Sequence, residues 1–299
     1  MPVFRNHGLY VILFFFVGCS VIRPVAEVPE EDQLAREAYL AGEYDIALEA
    51  YETLIEEKRN QQESIEGEYF NHAGLAAFHL GEASRALDHL ERARHTEAAN
   101  EQTYAALARL YREIDNLSRE ITHLDNYLTL YPEGELAESF RIRYFETLTE
   151  SMNWQQAYDL WPLIEEDVVD DISFLSQIYE VNQALGHEEE ADRLAQQLLQ
   201  IDPYHTEALD RLAKRYFHRA ETRYNAEMAA YDQNRTQRQY AQLLAAFEEL
   251  NKDFRAALTY FLRLYEQNPS HEYASYLYNI YSRFDNEERA RYFRGKLQE

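Results

Sequence analysis

A recurrence of 34 residues between Phe70 and Pro132 constrains the fold of this chain more than any other feature. Aromatic and small residues return at the same places in two consecutive segments. The matching pairs are Phe70 and Tyr104, Gly74 and Ala108, and Ala93 and Tyr127. A fixed period of roughly 20 to 50 residues is typical of supersecondary units that stack and share one continuous core. We therefore expect a repeat array rather than a single mixed core.

Each unit is predicted to be helical. The chain has only 9 Gly and 7 Pro in 299 residues and few β-branched runs, so helix breakers and strand formers are both scarce. Gly42 is followed five residues later by Ala47, and Gly186 and Ala191 repeat this spacing. Glycine ends a helix in a conformation that other residues resist, and alanine lets two helix backbones approach closely. The spacing predicts a pair of helices around each turn.

These residues resemble the tetratricopeptide repeat, whose units each contain two antiparallel helices with small residues where the helices cross. The resemblance implies an all-α fold, a right-handed superhelix (α-solenoid) of helical hairpins. It covers the chain from about Leu34 to the end. We predict repeats 1–5 over residues 34–203, followed over residues 204–299 by a long helix, degenerate repeats and a cap.

Some units depart from the pattern. The third unit has Asp115 in place of the turn glycine and Glu120 in place of the small residue at the helix crossing. Further along, apolar residues recur every three or four positions, and no Gly or Pro occurs between residues 204 and 269. This pattern predicts one extended helix near 206–232. We expect two shorter helices after it, near 236–250 and 254–266.

The N-terminus has the layout of a secretory signal. Arg5 and His7 precede an apolar run at residues 9–17, which leads into Gly18 and Cys19. The run is shorter than the roughly 20 apolar residues that span a bilayer. Residues 16–19, Phe-Val-Gly-Cys, resemble the lipobox of bacterial lipoproteins, which implies cleavage before Cys19 and acylation of that residue. An uncleaved anchor and an ordinary cleaved signal with a free thiol are the alternatives.

Acylation would fix the protein to a membrane, because each inserted CH₂ group is worth about 0.8 kcal/mol and several chains together anchor stably. We predict a signal peptide at residues 1–18 and a tether at residues 19–33. The resemblance to Gram-negative lipoproteins, with Ser20 rather than Asp after the cysteine, implies the outer membrane. The body of the protein would then lie in the periplasm or at the cell surface.

Charge and motifs exclude several classes of function. The net charge of −25 argues against nucleic acid as a partner, because that affinity comes largely from cationic side chains on phosphates. The chain has no Gly-rich phosphate loop and no nucleophile motif. His72 and His79 share a helix face, but we interpret them as surface or groove residues. We predict no enzymatic activity, no cofactor and no metal site.

A partner is expected on the concave face, which the first helix of each unit lines in arrays of this kind. By register with the family, the candidate partner-binding residues are Arg36, Tyr39, Asn71, Phe78, His79, Arg109 and Arg112. The family's carboxylate clamp of Lys and Asn is not reproduced at the matching places. A row of cationic residues on the long helix, from Arg211 to Arg223, either pairs with local acids or receives an acidic partner.

Together these features predict a lipid-anchored scaffold of the bacterial envelope that binds a protein or peptide. The nearest analogy is membership of an outer-membrane assembly or transport complex. The alternative is a carbohydrate-binding lipoprotein of a nutrient-uptake system, because the chain has 24 Tyr and sugar sites use aromatic platforms.

Overall fold

The computed structural model describes residues 30–168 and 170–298, which form helices and turns with no strand among them. The chain divides into two compact units, Met1–Arg92 and Ala93–Glu299. The helices up to this division are α1 (Glu30–Ala41), α2 (Tyr44–Asn60), α3 (Gly67–His79) and α4 (Ala83–Ala93). The helices of the second unit are α5 (Glu101–Glu113), α6 (Leu117–Leu130), α7 (Ala137–Glu150), α8 (Trp154–Leu160), α9 (Glu165–Val168), α10 (Ile172–Leu185), α11 (Glu188–Ile201), α12 (Thr206–Gln233), α13 (Gln237–Gln267), α14 (His271–Arg283) and α15 (Glu287–Lys296).

Helices pack mainly against their neighbours in the chain. In the second unit α5 packs on α6, α6 on α7 and α7 on α8, and the same order continues from α10 to α15. In the first unit α1 packs on α2 and α2 on α3. Contacts between successive helices are what a helical repeat requires, because each repeat buries its apolar face on the next. The predicted all-α fold class of successive helical hairpins is confirmed.

In six helical hairpins within the described residues, the turn between the two helices has the same backbone geometry. A residue with φ between 53° and 77° follows the first helix of each; these residues are Gly42, Gly81, Asp115, Met152, Gly186 and Asp285. The N–H group of the next residue donates to the carbonyl oxygen five positions before it, as Asn116 does to Tyr111 at 2.9 Å. This is the Schellman geometry of a helix end. The hairpins with Asp115, Met152 and Asp285 at this position therefore keep the turn although they lack the glycine.

Small residues bring the two helices of a hairpin together. Five positions after the turn, five of these six hairpins bury an alanine; these residues are Ala47, Ala86, Ala157, Ala191 and Ala290. In the second hairpin Gly74 of α3 lies against Leu90 of α4. A Cβ atom at Gly74 would be 2.6 Å from Leu90 Cγ and 3.0 Å from the Leu90 backbone nitrogen. The helices are therefore as close here as their backbones allow.

Two clusters of larger apolar side chains form the core of the second unit. One extends from α5 to α12 and includes Tyr127 and Phe145, and the other extends from α12 to α15 and includes Phe254 and Phe261. Because α12 contributes to both clusters, it joins the two parts of this unit. Each fully buried aromatic side chain contributes roughly 1.5–3 kcal/mol relative to exposure.

The second helix of the fourth hairpin ends early, next to Pro162. α8 stops at Leu160, and the 3₁₀ turn Trp161–Leu163 follows. Proline has no N–H group, so it cannot donate the hydrogen bond that would continue the helix. Trp161 is 8% exposed, and Trp154 is partly buried against the same core.

The hairpin of α12 and α13 is much longer than the others. α12 has 28 residues and confirms the predicted extended helix near 206–232. The prediction of two helices near 236–250 and 254–266 is wrong, because α13 is a single helix of 31 residues. Leu250, Phe254 and Ala257 keep its buried side continuous through residues 251–253. Without Gly or Pro there, nothing breaks the helix.

The first helix begins earlier than the sequence indicates. α1 starts at Glu30, so the last four residues of the predicted tether at 19–33 are helical. Glu31 and Asp32 lie in its first turn, where the helix dipole favours negative side chains. Cys19 and the predicted signal peptide at 1–18 lie outside the described residues. None of the described helices has both the length and the apolar character needed to cross a membrane.

Gly74→Ala should lower the free energy of unfolding by about 1–3 kcal/mol, because the added methyl group overlaps Leu90. Helix propensity acts in the opposite direction by up to about 1 kcal/mol. Gly295→Ala in α15 is the matched control, because nothing lies within 4 Å of its added Cβ atom. This control should keep or slightly raise stability. Denaturant unfolding followed by circular dichroism measures both variants, and equal effects would contradict the close approach of α3 and α4.

Candidate functional site

The third hairpin departs from its neighbours at the helix crossing. Five positions after the turn, where the other five hairpins bury an alanine, α6 carries Glu120. The Glu120 side chain is 1% exposed. An ionised carboxylate at such a position needs a charged or hydrogen-bonding partner, because removing a charge from water is costly. A position that breaks the local rule of a fold is also where function is expected.

The start of α6 explains in part why a carboxylate is tolerated there. The Asn116 side chain caps the helix by accepting a hydrogen bond from the Arg119 N–H group at 3.2 Å. Glu120 lies in the first turn, where the unpaired N–H groups and the helix dipole favour a negative charge. The helix start alone does not compensate for full burial, so a cation is also required.

Arg143 of α7 supplies this cation. Its Nε donates to Glu120 Oε1 at 2.7 Å and its Nη2 donates to Oε2 at 3.1 Å, which is a two-point contact. Its Nη1 donates to Glu146 at 3.2 Å and to Glu150 at 3.0 Å. Burial alone would lower the pKa of Arg143, but the hydrogen bonds to these acids outweigh it and raise the pKa. Three carboxylates thus fix the guanidinium group.

A recess of about 210 Å³ opens beside this ion pair. α5 and α7 contribute its sides and α6 contributes Glu120 and Leu124. The lining residues are Ala108, Arg109, Arg112, Glu120, Leu124, Ser139, Phe140 and Arg143. Leu124 and Phe140 are buried and give the recess an apolar part. A small recess with an apolar part and a few fixed polar groups has the general character of a ligand site.

Arg109 and Arg112, two of the predicted partner-binding residues, line this recess and are exposed. Within the described residues, no acidic side chain lies within 4.0 Å of either guanidinium group. Arg109 lies over the Phe140 ring at 5.9 Å from its centroid. Three carboxylates already bind Arg143, so Arg109 and Arg112 are the positive charges that remain at the recess, on a chain whose net charge is −25.

Three of the other predicted residues contact side chains of the first unit. Arg36 donates to Glu68 at 2.7 Å, and both side chains are about half exposed. Tyr39 stacks on His72 with ring centroids 4.4 Å apart, and burial raises the pKa of Tyr39 to about 12. His79 is exposed and stacks on Tyr44 at 4.2 Å. These residues make paired contacts within the first unit.

Asn71 and Phe78 are less exposed than the predicted partner-binding arginines. Asn71 is 2% exposed, so the prediction that its side chain contacts a partner does not fit its burial. Phe78 is partly buried, and its ring packs edge-on against His79 at 5.8 Å. Alignment with the family's repeat placed both residues on the first helix of the second hairpin, which is α3. Their degree of burial depends on how α3 packs against its neighbours.

The histidines of the second hairpin pair with other side chains. His72 Nδ1 lies 2.9 Å from the Tyr51 hydroxyl, and burial lowers the pKa of His72. His89 Nε2 lies 2.9 Å from Glu52 Oε1. Over residues 30–168 and 170–298, no group of three or more His, Cys, Asp or Glu side chains is arranged to hold a metal ion.

The cationic row on α12 pairs mostly with acids of neighbouring helices. Arg211 and Arg215 both contact Asp192 of α11, at 2.8 and 3.0 Å. Lys214 contacts Asp210 and Glu272, each at 2.9 Å, and Arg219 contacts Asp253 at 2.5 Å. The sequence left two interpretations of this row open, pairing with local acids or binding of an acidic partner. For Arg211, Lys214, Arg215 and Arg219, these contacts favour pairing with acids of the same chain.

No model of a protein family matches this chain, and no curated protein matches it in sequence. A candidate protein-binding protein from Bacteroides ovatus is 17% identical, with a TM-score of 0.45 over 63% of this chain and 99% of that one. YrrB, a tetratricopeptide-repeat protein with an unusual peptide-binding site, is 16% identical, with a TM-score of 0.41 over 59% of this chain and 87% of its own.

The C-terminal part of a tetratricopeptide-repeat-containing protein from Cytophaga hutchinsonii is 13% identical, with a TM-score of 0.39 over 89% of this chain and 93% of its own. All three TM-scores are below 0.5. The class of this protein, an all-α protein of tetratricopeptide-like hairpins, therefore depends on the turn and crossing geometry described above.

Arg143→Met should lower the free energy of unfolding by about 3–5 kcal/mol, because it leaves the buried Glu120 without its cation. Glu120→Ala should cost much less, since it restores the alanine of the other hairpins and leaves Arg143 with Glu146 and Glu150. The double variant should resemble Glu120→Ala alone. Denaturant unfolding of the wild type, the two single variants and the double variant gives the coupling energy between Glu120 and Arg143. If the stability losses of the single variants add up to that of the double variant, the two side chains are independent.

Proposed function

We propose that this protein is a non-enzymatic scaffold that binds a segment of another protein in the recess between α5 and α7. One observation carries the proposal: Arg109 and Arg112 are exposed at an apolar recess, without acidic partners among the described residues, on a strongly acidic protein. Unpaired arginines that serve only solubility are not expected to converge on one recess, with Arg109 over the Phe140 ring.

The chemistry of the lining selects the type of segment. Arginine binds carboxylates through paired N–H donors, and Arg143 is already held by three acids. Arg109 and Arg112 are thus the groups left to receive a partner's carboxylate. Phe140 and Leu124 offer apolar contact to a neighbouring side chain. A recess of about 210 Å³ is small and suits one or two side chains rather than a folded domain.

The scaffold is anchored to the outer membrane through acylated Cys19 and acts within an assembly or transport complex of the bacterial envelope. Two features of the sequence support this anchor. Residues 16–19 resemble a lipobox, and Cys19, at its end, is the single cysteine of the chain. In the sequence, ten residues lie between Cys19 and the start of α1 at Glu30. A fixed position at the membrane suits a protein that holds partners together.

Peptides with one or two Glu next to Leu or Phe should bind the full chain, and their Gln counterparts should bind much more weakly. Arg109→Glu/Arg112→Glu should weaken binding at least tenfold, because charge-assisted hydrogen bonds contribute about 1.5–3 kcal/mol each. Arg255→Glu/Arg291→Glu is the charge-matched control on exposed positions of α13 and α15. Fluorescence anisotropy of a labelled peptide library measures affinity. Binding that is insensitive to the recess variant would refute the site.

Cys19 should carry acyl chains in a Gram-negative host, and Cys19→Ser should lose them and accumulate as the uncleaved precursor. Incorporation of an alkynyl palmitate analogue and the intact mass of the purified protein report both events. A wild-type protein that takes up no label would remove the anchor from the proposal. The peptide experiment is independent of this result, so the recess and the anchor fail separately.

A further inference from the structure

The outer part of the long hairpin forms an arm, defined here as residues 225–248. It contains the end of α12, the linker 234–236 and the start of α13. α14 reaches only to the base of the arm, where Arg283 contacts Glu221 at 2.6 Å and lies over the Tyr224 ring at 4.0 Å. Beyond that point, the aromatic contact within the arm is between its own two helices, Tyr231 against Tyr240 at 5.9 Å.

Two helices alone leave much of their surface uncovered. α13 buries Leu243 and Ala246 toward α12. The remaining surface of α13 includes exposed Leu244 and Tyr240, at 48% and 50% of their full accessibility. Ala241 and Ala245 are also exposed and add no bulk there. At 100° per residue, Leu244, Ala241 and Ala245 share the helix side opposite to the buried one. We call this side the outer face of α13.

Two charges flank this outer face. Arg238 and Glu248 lie on the same side of α13 and are exposed. Within the described residues, neither side chain lies within 4.0 Å of an opposite charge. On the same stretch of chain, Arg235 contacts Asp232 at 2.8 Å and Lys252 contacts Glu249 at 2.7 Å.

The spacing of these charges is self-complementary. Arg238 and Glu248 are equally distant from position 243, each about 7.5 Å from it along the helix axis at about 1.5 Å per residue. If a second α13 lies antiparallel with position 243 on the twofold axis, Arg238 of each copy faces Glu248 of the other. Position 241 then faces position 245, and the alanines at both places permit close approach. A parallel pair would instead place like charges opposite each other.

We propose that the outer face of α13 binds a second copy of this chain in an antiparallel, twofold arrangement. The two Arg238–Glu248 ion pairs fix the register, and Leu244 loses contact with water. A twofold interface uses the same patch on both copies, which this spacing fulfils. The contact is small, so the dimer is weak and depends on concentration. It is independent of the recess between α5 and α7.

Sedimentation velocity of the full chain tests the proposal. The protein is kept in one mild detergent, and its concentration is varied from about 1 to 200 µM, because a small interface gives weak association. The wild type should pass from monomer to dimer. Arg238→Glu and Glu248→Arg should each raise the dissociation constant at least tenfold, because each places like charges opposite each other. Arg291→Glu on α15 is the control and should dimerise like the wild type. Circular dichroism checks that each variant keeps its helical content.

A mixture gives the decisive result. Arg238→Glu carries acids at both positions and Glu248→Arg carries arginines at both, so equimolar mixing should restore a dimer that neither variant forms alone. The chain with both substitutions should also dimerise. A wild type that stays monomeric throughout, as it would if the arm bound only a different protein or a lipid surface, would overturn the proposal. Dimers that are insensitive to both variants would do the same.

Discussion

The close approach of paired helices is the constraint on which this structure depends. A residue in the left-handed conformation turns the chain back on itself, and an alanine five positions later lets the second helix pack against the first. At Gly74 the approach leaves no room for a Cβ atom. With the hairpins fixed in this way, larger side chains such as Tyr127 and Phe145 fill the spaces between successive helices. Regular stacking follows from this local geometry, repeated along each unit.

The candidate site lies where this constraint is relaxed. Glu120 takes the alanine position of the third hairpin, and a carboxylate buried there requires a cation from the next hairpin. Arg143 meets that requirement, and the recess opens beside the pair. Buried ion pairs are weak sources of stability compared with apolar packing, because desolvation offsets most of their attraction. The pair is better understood as a contact that shapes the recess beside Arg109 and Arg112.

The long hairpin follows the same packing rules with a different result. α12 and α13 continue their apolar seam past the ends of α11 and α14, because neither contains a Gly or Pro that would stop it. Its outer part is supported by two helices only, so a side of α13 with Leu244 and Tyr240 remains in contact with water. Binding to other proteins and self-association would thus use separate surfaces of the second unit, one between helices and one on an arm.

The sequence by itself determined the features that depend on neighbouring residues. The 34-residue recurrence and the spacing of Gly42 and Ala47, with its counterparts, predicted the hairpins. The run without Gly or Pro predicted the long helix. Both predictions succeeded because turn and helix preferences are local. The lipobox-like segment is likewise a linear signal. Only the tertiary structure paired Glu120 with Arg143, buried Asn71 and gathered Arg109, Arg112 and Phe140 around one recess. These outcomes depend on which side chains of different helices meet, and helical periodicity gives the side of a helix but not its neighbour.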